Sequence, residues 1–254
     1  MKILISPAKS LDFDKPLPTK VFSTKPIFHN EAQKINSVLK KKSPKALIEL
    51  MNISEKLANL NWERNKNFST KKNNDNVRPA IYSFNGDVYS GLDAFSIPEK
   101  KIKDMQSKLR ILSGLYGILK PLDKIHPYRL EMGTSIEVGK YKNLYSFWKT
   151  KVTDQLISEL DKNELMVNLA SKEYFGVIDS NLIDTPLISP IFMDFKDGKF
   201  KIISFFAKKA RGLMARYLID ENASSINHVL NFKKEGYQFS KEQTIDSSKP
   251  VFIR

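Results

Sequence analysis

Polar side chains follow short apolar runs at several points along the chain. Ile3–Ile5 leads through Ser6 to Lys9 and Asp12, and Pro79–Phe84 leads to Asp87 and Tyr89. Leu165–Leu169 carries Asn168 and is followed by Ser171 and Tyr174, while Arg129 and Glu131 stand in Pro127–Gly133. In open α/β sheets ligands gather at the carboxyl ends of strands. On that reading Lys9 contacts a phosphate or a carbonyl. Ser6, Asp12, Asp87, Tyr89, Glu131, Asn168, Ser171 and Tyr174 then line a pocket for a nucleobase, nucleotide or similar anionic small molecule. The competing reading leaves Lys9 in an ordinary polar loop, Asp87 as a turn cap and Tyr89 as a ring at the core's edge. No glycine-rich dinucleotide or Walker fingerprint accompanies these residues.

A second group of residues suits polyanions. Lys199–Arg216 holds six basic residues and no acidic one. At about 100° per residue, Lys208, Lys209, Arg211 and Arg216 fall within an arc of roughly 160° on a helix from Ala207 to about Asp220. Leu213, Met214, Tyr217 and Leu218 take the other side. Such a face can make two or three phosphate contacts, or it is simply a solvated charged face. Arginine offers a planar fork that lysine lacks, so the seven arginines inform more than lysine runs such as Lys40-Lys41-Lys42. Arg110 and Arg129 belong to a further segment, Leu109–Gly133, where apolar runs flank Gly114, Tyr116 and Gly117. That pattern predicts a helix, a tight glycine turn and a second helix, whose exposed N–H groups suit a phosphate. A glycine-hinged corner inside the core is the alternative.

Metal chemistry has little support. His29, His126 and His228 are far apart in sequence, and the chain has no cysteine. Neither thiolate nor paired-histidine ligands are available; an all-carboxylate site stays open. No metal or cofactor is expected.

The elements that must position these residues alternate. Ile3–Ile5, Pro79–Phe84 and Leu165–Leu169 read as buried strands. Ile191–Phe195 and Phe200–Phe206 flank Asp197-Gly198 and read as a hairpin. Helices are expected over Asn30–Leu39, from Ser43-Pro44 with serine as cap, over Ser54–Trp62, and from the aromatic Tyr141–Trp148 stretch to about Leu160. Lys15–Thr24 reads as extended, Lys71–Asn76 as a loop, and the tail as short strands.

Of 254 residues, 41% are hydrophobic, enough for a substantial core. The net charge of +14 favours nucleic acid, then an acidic membrane surface. No apolar run reaches the ~20 residues of a membrane span, and the start is too short for a secretory signal. A cytoplasmic protein is expected.

Seven segments in order resemble the YaaA peroxide-stress family of bacterial cytoplasmic proteins: ILISPAKSLDF from Ile3, FNGDVYSGL from Phe84, LRILSGLYGILKPLD from Leu109, PYRLEMG from Pro127, LYSFW from Leu144, NLASKEYF from Asn168 and GKFKIISFFAKKARGLMARY from Gly198. The resemblance implies one compact α+β (mixed α/β) domain over residues 1–254. This domain would have a mixed sheet, surrounding helices, a basic cleft and a helix-hairpin-helix-like element. It further implies binding of double-stranded or branched DNA and a role in surviving hydrogen peroxide by keeping free iron low. Lys9, Arg110, Gly114, Tyr116, Gly117, Arg129, Lys208, Lys209, Arg211 and Arg216 are the expected DNA contacts. A monomer acting as a binding protein, with no membrane partner, is expected, and an enzyme acting on a nucleobase or nucleotide is the alternative.

Overall fold

The computed structural model describes residues 1–18, 22–68 and 76–254. Strand β1 (Lys2–Ile5) is the hub of the larger sheet, because Ile3, Leu4 and Ile5 are all fully buried. A strand apolar on both faces must be covered on both, as parallel strands usually are. Beside it run β2 (Leu109–Ser113), β3 (Gly117–Leu119), β4 (Met166–Asn168) and β5 (Leu187–Ile188), in the order β3-β2-β1-β4-β5. All pairs are parallel except the β2–β3 hairpin, and Ile3 lies opposite both Leu109 and Val167. A second, mixed sheet has β6 (Ile191–Lys196), β7 (Lys199–Lys201), β8 (Gln238–Ser240) and β9 (Val251–Ile253) in the order β7-β6-β9-β8. The β6–β7 turn places Asp197 and Gly198 at φ 53° and 76°, which matches the Asp-Gly signal for a hairpin.

Among the helices that frame the sheets in the described residues are α1 (His29–Leu39), α2 (Pro44–Met51), α3 (Glu55–Asn67), α4 (Asp87–Leu92), α5 (Ile102–Lys108), α6 (Leu144–Ser158), α7 (Lys172–Phe175) and α8 (Ser204–Asp220). Serine caps open three of them: the Ser43, Ser54 and Ser171 hydroxyls accept from the N–H groups of Ala46, Leu57 and Tyr174. A reciprocal Asn143–Ser146 capping box opens α6. The whole is an α+β domain. No described helix is long and apolar enough to cross a membrane.

Three sequence expectations need correction. Leu109–Leu119 is not helical but a β-hairpin, with Ser113 opposite Gly117. A short run buried at every residue reads equally well as helix or as inner strand, and pairing with β1 decides for strand. Pro79–Phe84 is not one strand. Ala80–Ser83 makes a helical turn between the two-residue strands Arg78–Pro79 and Phe84–Asn85. Phe200–Phe206 divides into β7 and the start of α8, which begins at Ser204. The Lys71–Asn76 loop lies outside the described residues apart from Asn76, and so does part of Lys15–Thr24.

Helices α4 and α8 touch backbone to backbone. A Cβ on Gly212 would sit 1.9 Å from the Val88 carbonyl oxygen, and one on Gly91 would sit 2.2 Å from that of Lys209. Neither neighbour is a flexible side chain, so an added methyl must separate the helices. Gly212→Ala is therefore expected to cost at least the ~1–3 kcal/mol of an overpacked core site. Urea denaturation checks this; wild-type stability would show that the crossing yields freely.

Candidate functional site

The segments following β1 and β4 meet at the carboxyl edge of the parallel sheet. The Ser171 N–H donates to Ser6 Oγ at 2.9 Å, and the Tyr89 hydroxyl, arriving from α4, donates to the Ser6 carbonyl at 3.1 Å. Ser113, at the end of β2, shares a 2.6 Å hydrogen bond with the Tyr128 hydroxyl. Tyr89, Tyr128 and Tyr174 are all buried there. Burial pushes each phenol up, and the proximity of Tyr128 adds to the rise at Tyr89 and Tyr174. The three hydroxyls stay neutral and can donate hydrogen bonds.

A charged chain crosses the same edge. Lys9 Nζ pairs with Glu131 Oε2 at 2.8 Å, and Arg129 Nη2 meets Glu131 Oε1 at 3.2 Å. Arg129 Nε is buried without a partner. Behind Gly133, the Glu173 carboxylate accepts the glycine N–H at 3.0 Å.

Helix α8 brings a further cation toward this edge. Its C-terminal end lies at the amino side of the sheet, where Lys108, just before β2, donates to Asn222 Oδ1 and the Ala223 carbonyl at 2.5 and 3.0 Å. Its first half therefore points the other way, alongside α4, whose preceding Gly86 abuts Ala8. Arg211 sits there, next to the Gly212 crossing. Arg211 is half-buried there, and burial lowers its pKa. The other six arginines hydrogen-bond within the chain: Arg64, Arg78, Arg110, Arg129, Arg216 and Arg254. Of the arginines, Arg211 alone has neither an acidic partner nor a hydrogen bond among the described residues. Lys208, one residue beyond Ala207, is exposed and likewise unpaired among the described residues.

Thus Ser6, Lys9, Tyr89, Arg129, Glu131, Ser171 and Tyr174 share one edge, and others of the expected residues do not join them. The Asp12 carboxylate accepts the N–H groups of Lys15 and Asp14, which hold its pKa low. Asp87 begins α4 without capping it. Asn168 bonds the Ala170 N–H and donates to Ser189 Oγ, tying β4 to the next loop.

The β2–β3 hairpin residues are corrected from phosphate contacts to structural ones. Arg110 is buried, with its Nε 2.5 Å from Glu159 Oε2 and its Nη1 on the Gln106 and Leu109 carbonyls. The Gly114 carbonyl accepts the Trp148 indole N–H at 2.9 Å, and the buried Tyr116 hydroxyl accepts the His126 N–H at 3.0 Å. Gly117 has φ +71°, and its Cα faces the Trp148 ring so closely that a Cβ would lie 2.7 Å away.

The basic helix face also needs correction, since acidic residues outside the Lys199–Arg216 segment fold onto it. Lys209 pairs with Glu235 at 2.7 Å and Arg216 with Asp220 at 2.8 Å. Arg216 also donates to Ser96 Oγ and the Leu92 and Asp93 carbonyls, fastening α8 to the end of α4.

Sequence reasoning expected both helices of the α2–α3 pair but missed the groove beside them. Helices α2 and α3 are joined by only Asn52, Ile53 and Ser54, with Asn52 left-handed at φ 49°. Beside them Lys40, Lys41, Lys42, Lys66, Ser37, Ser43 and Trp62 line a groove with no acidic residue. Lys66 lies 5.3 Å over the Trp62 ring. The available signal for the short connection was Asn-Ile-Ser between two serine-capped helices.

Fold and site together define an α+β protein with a tyrosine-lined sheet edge crossed by the Lys9–Glu131–Arg129 ion pairs. The chain belongs to the family described as peroxide stress protein YaaA, whose model matches residues 1–243. It is 59% identical over 239 residues to a UPF0246 protein of Flavobacterium psychrophilum, covering 94% of each chain. A Marinomonas relative is 48% identical over 254 residues, covering 100% of this chain and 97% of its own. One from Aliivibrio fischeri is 45% identical over 246 residues, covering 96% and 95%.

Arg110 and Arg211 differ in a way that stability measurements read directly. Arg110→Met leaves Glu159 without its buried partner and is expected to cost about 3 kcal/mol. Arg211→Met removes a half-buried charge that has no partner among the described residues, so its melting temperature should equal or exceed the wild type's. A comparable loss in both variants would show that Arg211 is compensated internally.

Proposed function

We propose that this chain serves the peroxide response by binding DNA, with Arg211 and Lys208 as principal phosphate contacts. Lys9, Arg129 and the lysine groove beside α2–α3 extend the same surface chemistry. The observation that carries the reading is Arg211, a half-buried arginine with no partner among the described residues. An unpaired guanidinium is free to take an anion, and a phosphate is the anion that a planar fork fits best. The net charge of +14 supplies the long-range attraction. The protein acts as a cytoplasmic monomer on double-stranded or branched DNA. Lowered free iron enters as a physiological outcome. Among the described residues no three His, Asp or Glu are grouped to hold a metal, so the proposal assigns iron no ligand set here.

Fluorescence anisotropy across a salt series tests the reading. Each phosphate contact contributes ~0.9 to the slope of log affinity against log salt. Arg211→Ala with Lys208→Ala should flatten that slope by about 2, equally for unrelated duplex sequences. An unchanged slope and affinity would remove α8 from the interface.

A second reading, an enzyme acting on a nucleobase, nucleotide or similar anionic small molecule, is favoured by the convergence of Ser6, Tyr89, Tyr128, Ser171 and Tyr174 beside the unpaired Arg129 Nε. It predicts that nucleoside mono- or diphosphates raise the melting temperature of the wild type but not of Arg129→Met. No thermal shift with any nucleotide would leave the DNA reading alone.

A further inference from the structure

The second sheet ends in an open edge. Strand β7 is its last strand and pairs on one side only, with β6. On β6 the Phe195 N–H donates to the Arg254 carbonyl and the Met193 carbonyl accepts the Arg254 N–H, so both residues turn their backbone toward β9. Asp194 and Lys196 therefore bond β7 through Lys201 and Lys199, and Phe195–Phe200 is the pair without mutual hydrogen bonds. The Phe200 N–H and carbonyl consequently point out of the sheet's edge, where no partner meets them among the described residues.

Strand alternation makes the two faces of this edge unlike. Phe195, Phe200 and Ile202 fall on the face that turns away from buried Phe192, and Met193 and its neighbour Ile253 continue it. The Phe195 and Phe200 rings lie 5.3 Å apart. Phe195 is 62% exposed and Ile202 59%, although the outward face of such a sheet is ordinarily polar. Lys196, Lys199 and Lys201 take the opposite face. Lys201 pairs with Asp197 at 2.8 Å, while Lys196 and Lys199 are exposed and have no acidic partner among the described residues.

An open edge is a template for a further strand, and lysines commonly guard it. Here they also select. A second copy pairing antiparallel about Phe200 would set Lys199 of each chain against Lys201 of the other, and like charges directly opposite destabilise a strand pair. A strand carrying carboxylates meets attraction instead. We propose that β7 adds, by edge pairing, an extended segment of another protein in which apolar and acidic side chains alternate. Its apolar residues lie beside Phe200 and Ile202, and its carboxylates lie beside Lys199 and Lys201. Its backbone takes the free Phe200 N–H and carbonyl. None of these residues belongs to the proposed phosphate contacts, so the inference stands apart from the DNA-binding reading.

The test uses a fluorescein-labelled peptide of alternating valine and glutamate, read by anisotropy on the full chain. In an antiparallel pair the valines sit opposite Phe200 and point their N–H groups at β7, whereas the glutamate N–H groups point away. N-methylation of the valines keeps every side chain but removes the strand's donors, and should weaken binding about tenfold. N-methylation of the glutamates should leave affinity unchanged. A peptide of the same composition with its glutamates gathered at one end should also bind about tenfold more weakly. Lys199→Glu, at an exposed position, should lose the valine–glutamate peptide and gain one of alternating valine and lysine. Phe195→Ser should weaken both. Equal binding of the alternating and reordered peptides, or indifference to valine methylation, overturns the proposal. So does a dimer in light scattering that Phe195→Ser abolishes, because the edge then belongs to a second copy.

Discussion

The contact between Gly91 and Gly212 is the constraint on which the other arrangements depend. Two helices can approach this closely only where neither carries a side chain, and here each glycine faces a carbonyl of the partner helix. The crossing sets α4 against the sheet, so that Tyr89 reaches Ser6. It sets Arg211 beside the contact, where it loses water without gaining a partner among the described residues. Arg216 fastens the far end by bonding the carbonyls that end α4, where Asp93 turns left-handed at φ 44°. Sheet edge and cation thus share one rigid support, as a preorganised binding surface needs.

Much of the architecture was legible because local chemistry and burial agree. Ser43-Pro44 caps a helix, Asp197-Gly198 turns a hairpin and Ile3–Ile5 makes a buried strand, each from interactions within a few residues. The failures lie where tertiary context decides. Leu109–Ser113 carries apolar residues at spacings that suit a helix. Its neighbour β1 supplies a full row of backbone partners, and strand pairing wins. Gly114 and Gly117 signalled a special backbone correctly, but what approaches them is Leu130 and Trp148, not a phosphate. Glycines announce closeness; they do not say to what.

The charge pattern shows the same division. A lysine- and arginine-rich segment without acids suggested a uniformly free face, but ion pairing is set in space. Glu235 is 26 residues from Lys209 in sequence (235 − 209) and 2.7 Å from it in the fold. Arginine's fork suits buried carbonyls and carboxylates as well as it suits phosphates. The chain uses that property at Arg78, which reaches the carbonyls of Phe13, Lys15 and Tyr82, and at Arg254, which pairs with Asp194. Being an arginine is therefore weak evidence of function here; having no partner is strong evidence.

Arg129 Nε is buried without a partner among the described residues, as are the Tyr82 hydroxyl, Asn65 Nδ2 and Thr185 Oγ1 elsewhere, and Arg211 is half-buried without one. Each unmet group lowers stability by an amount that a packed apolar side chain would not. A fold selected for stability alone would have little reason to keep an unpaired guanidinium at the Gly212 crossing, whereas a surface that attracts an anion would. Desolvation strengthens an electrostatic contact once the anion arrives. On the proposed reading, stability forgone in the free protein is recovered on binding, and the unpaired arginine is a sharper guide than the net charge to where an anion would sit.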